Sequence, residues 1–220
     1  MIELNQIYFG DCIEKIKEID NLSINLTLTD IPYDMVNRKS NGLRNLDKGN
    51  ADIITFNLQD FLIEVNRITK GTIIIFCGVG QVSEIYKFFA EKQRNKLGTV
   101  RQLISKKLNP SPMNGQYIYL SGIENAIWFK NKGATFNAHC KNTVFSHPCG
   151  RSKLHPTEKN HHLLKELILD NSNENDIIFD PCCGGGSHCL VARELNRSFI
   201  GIERDEQYYK IACDRIGQNL

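Results

Sequence analysis

The chain has 220 residues, of which 41% are hydrophobic and 24% charged, with a formal net charge of +2. That balance describes a globular domain able to bury its own core, and its weak basicity neither demands nor excludes a nucleic-acid partner. No stretch approaches the roughly 18 apolar residues of a membrane span, Met1 to Gly10 is too short and polar for a signal peptide, and the eight cysteines read as free thiols of a cytoplasmic protein.

Gln6 to Phe9 reads as a short strand, and Cys12 to Ile19 as an amphipathic helix with Ile13, Ile16 and Ile19 on one side. Ile24 to Thr29 is a second strand, ending at Asp30. From Asp34 to about Ile53 the pattern is lost among Asn, Gly, Asp, Lys and Arg, which predicts a mobile loop at about 34–53. Asn57 to Thr69 is helical, with Gly71 expected to stop it, and Thr72 to Cys77 is an isoleucine-rich run suited to a doubly covered parallel strand. Val82, Ile85 and Phe89 mark a helix. Strands are expected at Val100 to Lys106 and Gly122 to Lys130, separated by the breaker Asn109-Pro110-Ser111-Pro112. Asn131 to Lys153 looks irregular. Thr157 to Leu169 is a helix, Asp176 to Asp180 a buried strand, and Phe199 to Glu203 another, before a last helix carrying Tyr208, Ile211, Ala212 and Ile216. Residues 1–220 therefore read as one α/β domain: a Rossmann-like, mostly parallel, doubly wound sheet with helices on both faces and small irregular insertions.

Two motifs carry chemistry. Asp180-Pro181-Cys182-Cys183-Gly184-Gly185-Gly186-Ser187 follows a strand and opens a helix, and Glu203 stands at the end of the next strand, about twenty residues on, where a Rossmann-like site places its ribose-binding acid. Neither the spaced G-x-G-x-x-G nor a P-loop Gly-Lys-Ser/Thr is present, so the loop suits an adenosine ligand without phosphates. Alone, such a loop is also compatible with an ordinary glycine turn.

The second motif is Asp30-Ile31-Pro32-Tyr33, at a strand's C-terminal end. The exocyclic amine of adenine or cytosine is a poor nucleophile because its lone pair is conjugated with the ring. Two acceptors on its hydrogens, the Asp30 carboxylate and the Ile31 carbonyl, draw the nitrogen towards tetrahedral geometry and free that pair. Pro32 fixes the turn, and Tyr33 offers a ring on which an extruded base stacks. In isolation the tetrapeptide also fits a capped strand-end turn.

In combination the motifs resemble those of the β-group bacterial DNA amino-methyltransferases, whose catalytic tetrapeptide precedes the cofactor loop. The resemblance extends to His155-Pro156-Thr157-Glu158-Lys159, Tyr8-Phe9-Gly10-Asp11-Cys12, Asn109-Pro110-x-Pro112 and Phe199-Ile200-Gly201-Ile202-Glu203, and so runs from about Tyr8 to Ile216. It implies transfer of a methyl group from S-adenosylmethionine to N6 of adenine, with N4 of cytosine or a catalytically weak DNA-binding relative as alternatives. It assigns the donor to Asp11, His155, Thr157, Asp180, Pro181, Cys182, Gly184, Gly186 and Glu203, with His155, Thr157 and the following helix N-terminus at the methionine end. The target base falls to Tyr33 and Asn109. DNA is the implied partner, with a cognate restriction endonuclease and a homodimer as further expectations. Ile31 stands where the family usually has Pro, which predicts a looser turn; Cys182 replaces a common Phe; Gly185 and Ser187 replace Ser and Thr, which predicts a more flexible loop.

Arg38, Lys39, Arg44 and Lys48 in the first irregular segment, and Lys130, Lys132, Lys141, Arg151 and Lys153 in or near the second, are candidates to track phosphates; 131–153 occupies the place of the family's target-recognition region. Pro181-Cys182 and Pro148-Cys149 look like the Pro-Cys nucleophile of C5-cytosine enzymes, but neither sits in a catalytic pattern. His139, Cys140, His147 and Cys149 lack a C-x-x-C pair, so no metal is expected. RNA and protein-glutamine methylases usually place the cofactor loop first, the reverse of the order here.

Overall fold

The computed structural model describes residues 2–33, 54–110, 112, 115–148 and 159–219. The loop expected at 34–53, with Arg38, Lys39, Arg44 and Lys48, lies outside the described residues, as do Cys149, Arg151, Lys153, His155 and Thr157.

The first half of the chain runs β1 (Gln6–Phe9), α1 (Cys12–Ile16), β2 (Ile24–Asp30), α2 (Leu58–Ile68), β3 (Thr69–Cys77), α3 (Val79–Arg94) and β4 (Gly98–Lys107). The second runs β5 (Ile123–Asn131), β6 (Val144–His147), α4 (His161–Asn171), β7 (Ile177–Asp180), α5 (Ser187–Glu194), β8 (Ser198–Glu203) and α6 (Glu206–Ile216). The strands form one sheet in the order β1-β8-β7-β2-β3-β5-β4-β6. Among the described residues β5 alone runs against its neighbours.

Alternate residues of each central strand feed different cores, as a pleated strand covered on both faces requires. Leu26, Leu28, Ile74 and Phe76 pack with Leu163, Leu167, Val191 and Ala212 of α4, α5 and α6. Ile73, Ile75 and Cys77 pack with Ile16, Phe61, Val65, Ile85 and Phe89 of α1, α2 and α3. From β2 the chain passes to β3 on one side; from β7 it passes to β8 on the other, while β2 and β7 themselves pair in parallel. This is a switch point, where open α/β sheets bind ligands beyond the strand ends.

Several expectations need correction. Gly71 does not stop a helix: α2 runs directly into β3, and Gly71 lies within that strand. A Cβ there would sit 1.7 Å from the Asn25 carbonyl oxygen, beside the register shift between Ile24 and Leu26, so close backbone approach explains the glycine. The segment 131–153 is not irregular throughout, because Val144–His147 adds a parallel edge strand to β4. The helix expected from Thr157 starts at His161, where the Asn160 side chain accepts from the N–H groups of His162 and Leu163.

Candidate active site

Four neighbouring strands end on one edge, and each delivers a candidate residue: Asp11 after β1, Glu203 on β8, Asp180 on β7 and Asp30 on β2. Phe9 registers with Glu203, and the Gly10 N–H donates to the Glu203 carbonyl at 3.0 Å, bringing Asp11 beside the acid. Asp11 Oδ1 caps α1, accepting from Ile13 N at 2.8 Å and Glu14 N at 3.3 Å.

Glu203 is tied into the glycine loop. Its Oε2 accepts from Gly184 N at 2.7 Å and its Oε1 from Asp205 N at 2.8 Å. A carboxylate has about four lone-pair sites, so both oxygens retain capacity for a diol. Burial pushes the Glu203 carboxyl up, against the backbone N–H groups of Asp205, Gly184 and Arg204, which pull it down. Gly184 and Gly186 adopt φ of 51° and 74°, where glycine is the residue without a steric cost. A Cβ on Gly186 would also lie 3.1 Å from Ala212. Gly186 caps α5 without a side-chain acceptor, so the helix start presents backbone donors. The loop is not loosely held. Cys183 N donates to Ile202 O at 2.9 Å and Gly186 N to Cys183 O at 2.8 Å, which pins the turn at those two residues.

Asp180 serves the loop from inside. It is fully buried, and Pro181 beside it is buried too. Its Oδ1 accepts from Thr29 Oγ1 at 2.7 Å and Cys182 N at 3.1 Å, and its Oδ2 is held by His188 Nδ1. These bonds and its full burial make Asp180 a brace for the loop. The Thr29 bond also joins the strand carrying Asp30 to the strand carrying the loop. Cys182 is half-buried; its hydrogen bond with Cys12 and then burial push its thiol up, which opposes the thiolate a nucleophile needs.

At the acceptor turn, the Ile31 N–H donates to Phe76 O at 3.2 Å and the Ile31 side chain is buried in the α1–α3 core. The Pro32 carbonyl accepts from Gln81 Nε2 at 3.1 Å, while Gln81 Oε1 accepts from Gly78 N at 2.8 Å. Core burial of Ile31 and the Gln81 clamp on Pro32 hold this turn. Asn109 is exposed just beyond β4, on the same edge of the sheet.

The sequence marks Lys159 only as the last residue of its motif and gives no sign that it gathers this turn. The Lys159 ammonium lies 2.8 Å from Asp30 Oδ2 and 3.0 Å from Glu124 Oε2, and donates to the Tyr33 hydroxyl at 2.9 Å. It also lies 4.8 Å from the Phe76 ring centroid. Burial alone would lower the Lys159 pKa, but Asp30, Tyr33 and Glu124 overcome this and hold it well above the lysine range. Burial and Asp30 push the Tyr33 phenol up, so it stays neutral. Among the described residues Asp30 Oδ1 is buried without a hydrogen-bond partner, a condition that native structures rarely leave unfilled. Gln81 was missed because Pro32, which it clamps, is far away in sequence; His188, eight residues from Asp180, was missed because no motif marks it.

In the described part of the second irregular segment, Lys141 and His147 already have acidic partners. Lys141 pairs with Asp170 at 2.6 Å and Glu166 at 3.0 Å, and His147 Nε2 meets Glu166 at 2.9 Å.

A glycine loop with a ribose-type acid on one side of a switch point, and a carboxylate–tyrosine turn on the other, define the site of an S-adenosylmethionine-dependent methyltransferase. A DNA methylase family model matches residues 24–214, and the chain belongs to that family. The type II methyltransferase M.HinfI of Haemophilus influenzae is 32% identical over 97% of this chain and 68% of that protein. The crystal structure of M1.HpyAVI in complex with S-adenosylmethionine matches with a TM-score of 0.73 and 28% identity, covering 98% of this chain and 99% of that one. The cytosine-N4-specific PvuII DNA methyltransferase shares the fold, with a TM-score of 0.69 at 19% identity over 96% of this chain and 85% of that one. The chain is accordingly a DNA methyltransferase that takes its methyl group from S-adenosylmethionine. Among the described residues no helix is long and apolar enough to cross a membrane.

Proposed function

We propose that the chain methylates N6 of adenine in DNA, with Asp30 as the acceptor that prepares the amine. The carrying observation is the buried, unfilled Asp30 Oδ1 at the end of β2, next to the strand that bears the donor loop. One amine N–H donates to Oδ1 and the other to the Ile31 carbonyl, while the extruded base stacks on Tyr33. The donor supplies an electrophilic methyl on a sulfonium. As the nitrogen forms its bond to that carbon, the carbon–sulfur bond breaks and leaves a neutral thioether, and the positive charge on the amine is stabilised by Asp30, which then takes the surplus proton.

On the donor side, Glu203 holds the ribose diol, Asp11 the adenine amine, and the Cys182 to Gly186 turn the remainder, with His155 and Thr157 at the methionine end. Adenine is favoured over cytosine because Asp30 stands where many N4-cytosine enzymes have Ser. The segments 34–53, with Arg38, Lys39 and Arg44, and 131–153, with Asn109 nearby, are the proposed DNA contacts of a single domain. The proposed setting is the cytoplasm, in a restriction-modification pair with a cognate endonuclease, the enzyme working as a homodimer.

The test is transfer of tritiated methyl from the donor to genomic DNA, followed by nucleoside identification. Label in N6-methyladenine is expected. Label in N4-methylcytosine would replace adenine as the target, and donor and DNA binding without label would contradict catalysis.

A further inference from the structure

Asp30 and Lys159, which open or end separate motifs, belong to a chain of alternating charge that continues to Glu124 and Lys107, which no motif marks. Lys159 Nζ bridges Asp30 Oδ2 and Glu124 Oε2, and Lys107 Nζ lies 2.9 Å from Glu124 Oε1. The four groups come from the end of β2, the residues before α4, the start of β5 and the end of β4. An ammonium has three N–H donors, and Lys159 directs them to Asp30, Glu124 and Tyr33. With its side chain 5% exposed and its donors committed, Lys159 is not placed to bind a phosphate. It holds one oxygen of Asp30 and leaves the other.

Glu124 sets where that ammonium sits, and Glu124 is itself fixed from the β4–β5 connection. Burial alone would push its carboxyl up, but Lys159 and Lys107 overcome this and hold it below the usual range, so it stays charged. The Lys107 N–H donates to Gly122 O at 2.8 Å, closing the root of that connection. Asn109 lies in this connection, and Tyr117, Ile118 and Tyr119 in it are 79%, 63% and 102% exposed. Apolar and aromatic groups so exposed at a substrate-facing edge are suited to contact bases.

We propose that Lys159, Glu124 and Lys107 are positioning residues: Glu124 seats the Lys159 ammonium against Asp30 Oδ2 and the Tyr33 hydroxyl, aiming Oδ1 at the amine, and Lys107 links that aim to the β4–β5 connection that meets DNA. The inference rests on the reading of Asp30 as the amine's acceptor. Lys159, already fully protonated, takes no proton from the product; its effect is on geometry and on the field around Asp30.

The test is single-turnover methyl transfer to DNA, with donor affinity and DNA KM measured alongside. Glu124→Gln, nearly isosteric and on a partly exposed residue, is expected to slow transfer about tenfold while donor Kd and DNA KM stay within about twofold, because misaimed groups cost rate more than binding. Glu124→Asp recovers part of the loss. Lys159→Met is expected to lose about a hundredfold, and adding Glu124→Gln to it slows transfer no further, because Glu124 acts through Lys159. Lys107→Met costs a few-fold. A Glu124→Gln enzyme with the normal rate, or one altered only in DNA KM or melting temperature, would overturn the proposal, as would a double variant whose losses multiply. Asp30→Ala separates the two readings, because it removes the accepting oxygen. If it stays active, the acceptor assignment itself fails; if it is inactive while Glu124→Gln is normal, only the positioning role fails.

Discussion

The two halves of the sheet edge satisfy their carboxylates in opposite ways. On the proposed donor side Asp180 and Glu203 are fixed chiefly by the glycine loop, the start of α5 and the turn after β8, with Thr29 of β2 added, and every oxygen accepts at least one bond. On the acceptor side Asp30 is held by one oxygen through a lysine from a distant segment, and the other oxygen is unfilled. The proposed donor site has its acceptors satisfied by backbone N–H groups together with the Thr29 and His188 side chains. The acceptor site is an open valence maintained by long-range charge. Binding a cofactor rewards rigidity, whereas activating a transient amine requires a polar atom kept ready for a partner that arrives with the substrate.

Substitutions can break this contrast, and the largest effect falls on the frame that both halves share. Gly71→Ala forces a Cβ to within 1.7 Å of the Asn25 carbonyl, and is expected to cost about 3 kcal/mol or more, read as a lower urea midpoint. Glu203→Gln removes a charged acceptor from the donor side alone. Donor affinity should fall by about one to two orders of magnitude, with the rate at saturating donor nearly kept, as calorimetry and single-turnover kinetics can show. Gly186→Ala strains a residue at φ 74°, and about tenfold weaker donor binding is expected. Thr29→Val cuts the side-chain link between the halves, and a loss of about 1 kcal/mol follows because Asp180 Oδ1 keeps only Cys182 N.

The halves should also separate by pH. Burial raises the Glu203 pKa, so as pH falls Glu203 is protonated sooner than an ordinary glutamate and donor affinity declines correspondingly early. Glu124 is shifted the other way. Its folded-state pKa lies below the unfolded one, so its contribution to stability is present above the ordinary glutamate range and is lost as pH falls through the folded value. Donor titrations and thermal melts across the acidic range would show loss of donor binding before loss of this stabilisation.

Strong periodicity made much of the fold legible. Gln6 to Phe9 and the helix with Phe61, Val65 and Ile68 fall where apolar spacing places them. Edge strand β6 escaped because only Phe145 of its four residues is buried, leaving no period to see. Gly71 was misread because a close approach between neighbouring strands leaves the same residue as a helix stop. The donor site was readable because Asp180 to Gly186 and Glu203 lie near one another in the chain and each has a local shape requirement. The acceptor site was readable only as Asp30 to Tyr33. Lys159, Glu124 and Gln81 reach that turn across long sequence separations, through charge and hydrogen bonds that impose no spacing on the sequence.

The most direct test of the central claim is Asp30→Ala, with methyl transfer to DNA and donor Kd measured on the same preparation. Loss of the acceptor should reduce transfer by more than about a thousandfold while donor Kd stays within about twofold, since the donor half has its own fixed geometry. Transfer that persists within about tenfold of the parent enzyme would contradict the assignment of Asp30 as the group that prepares the amine.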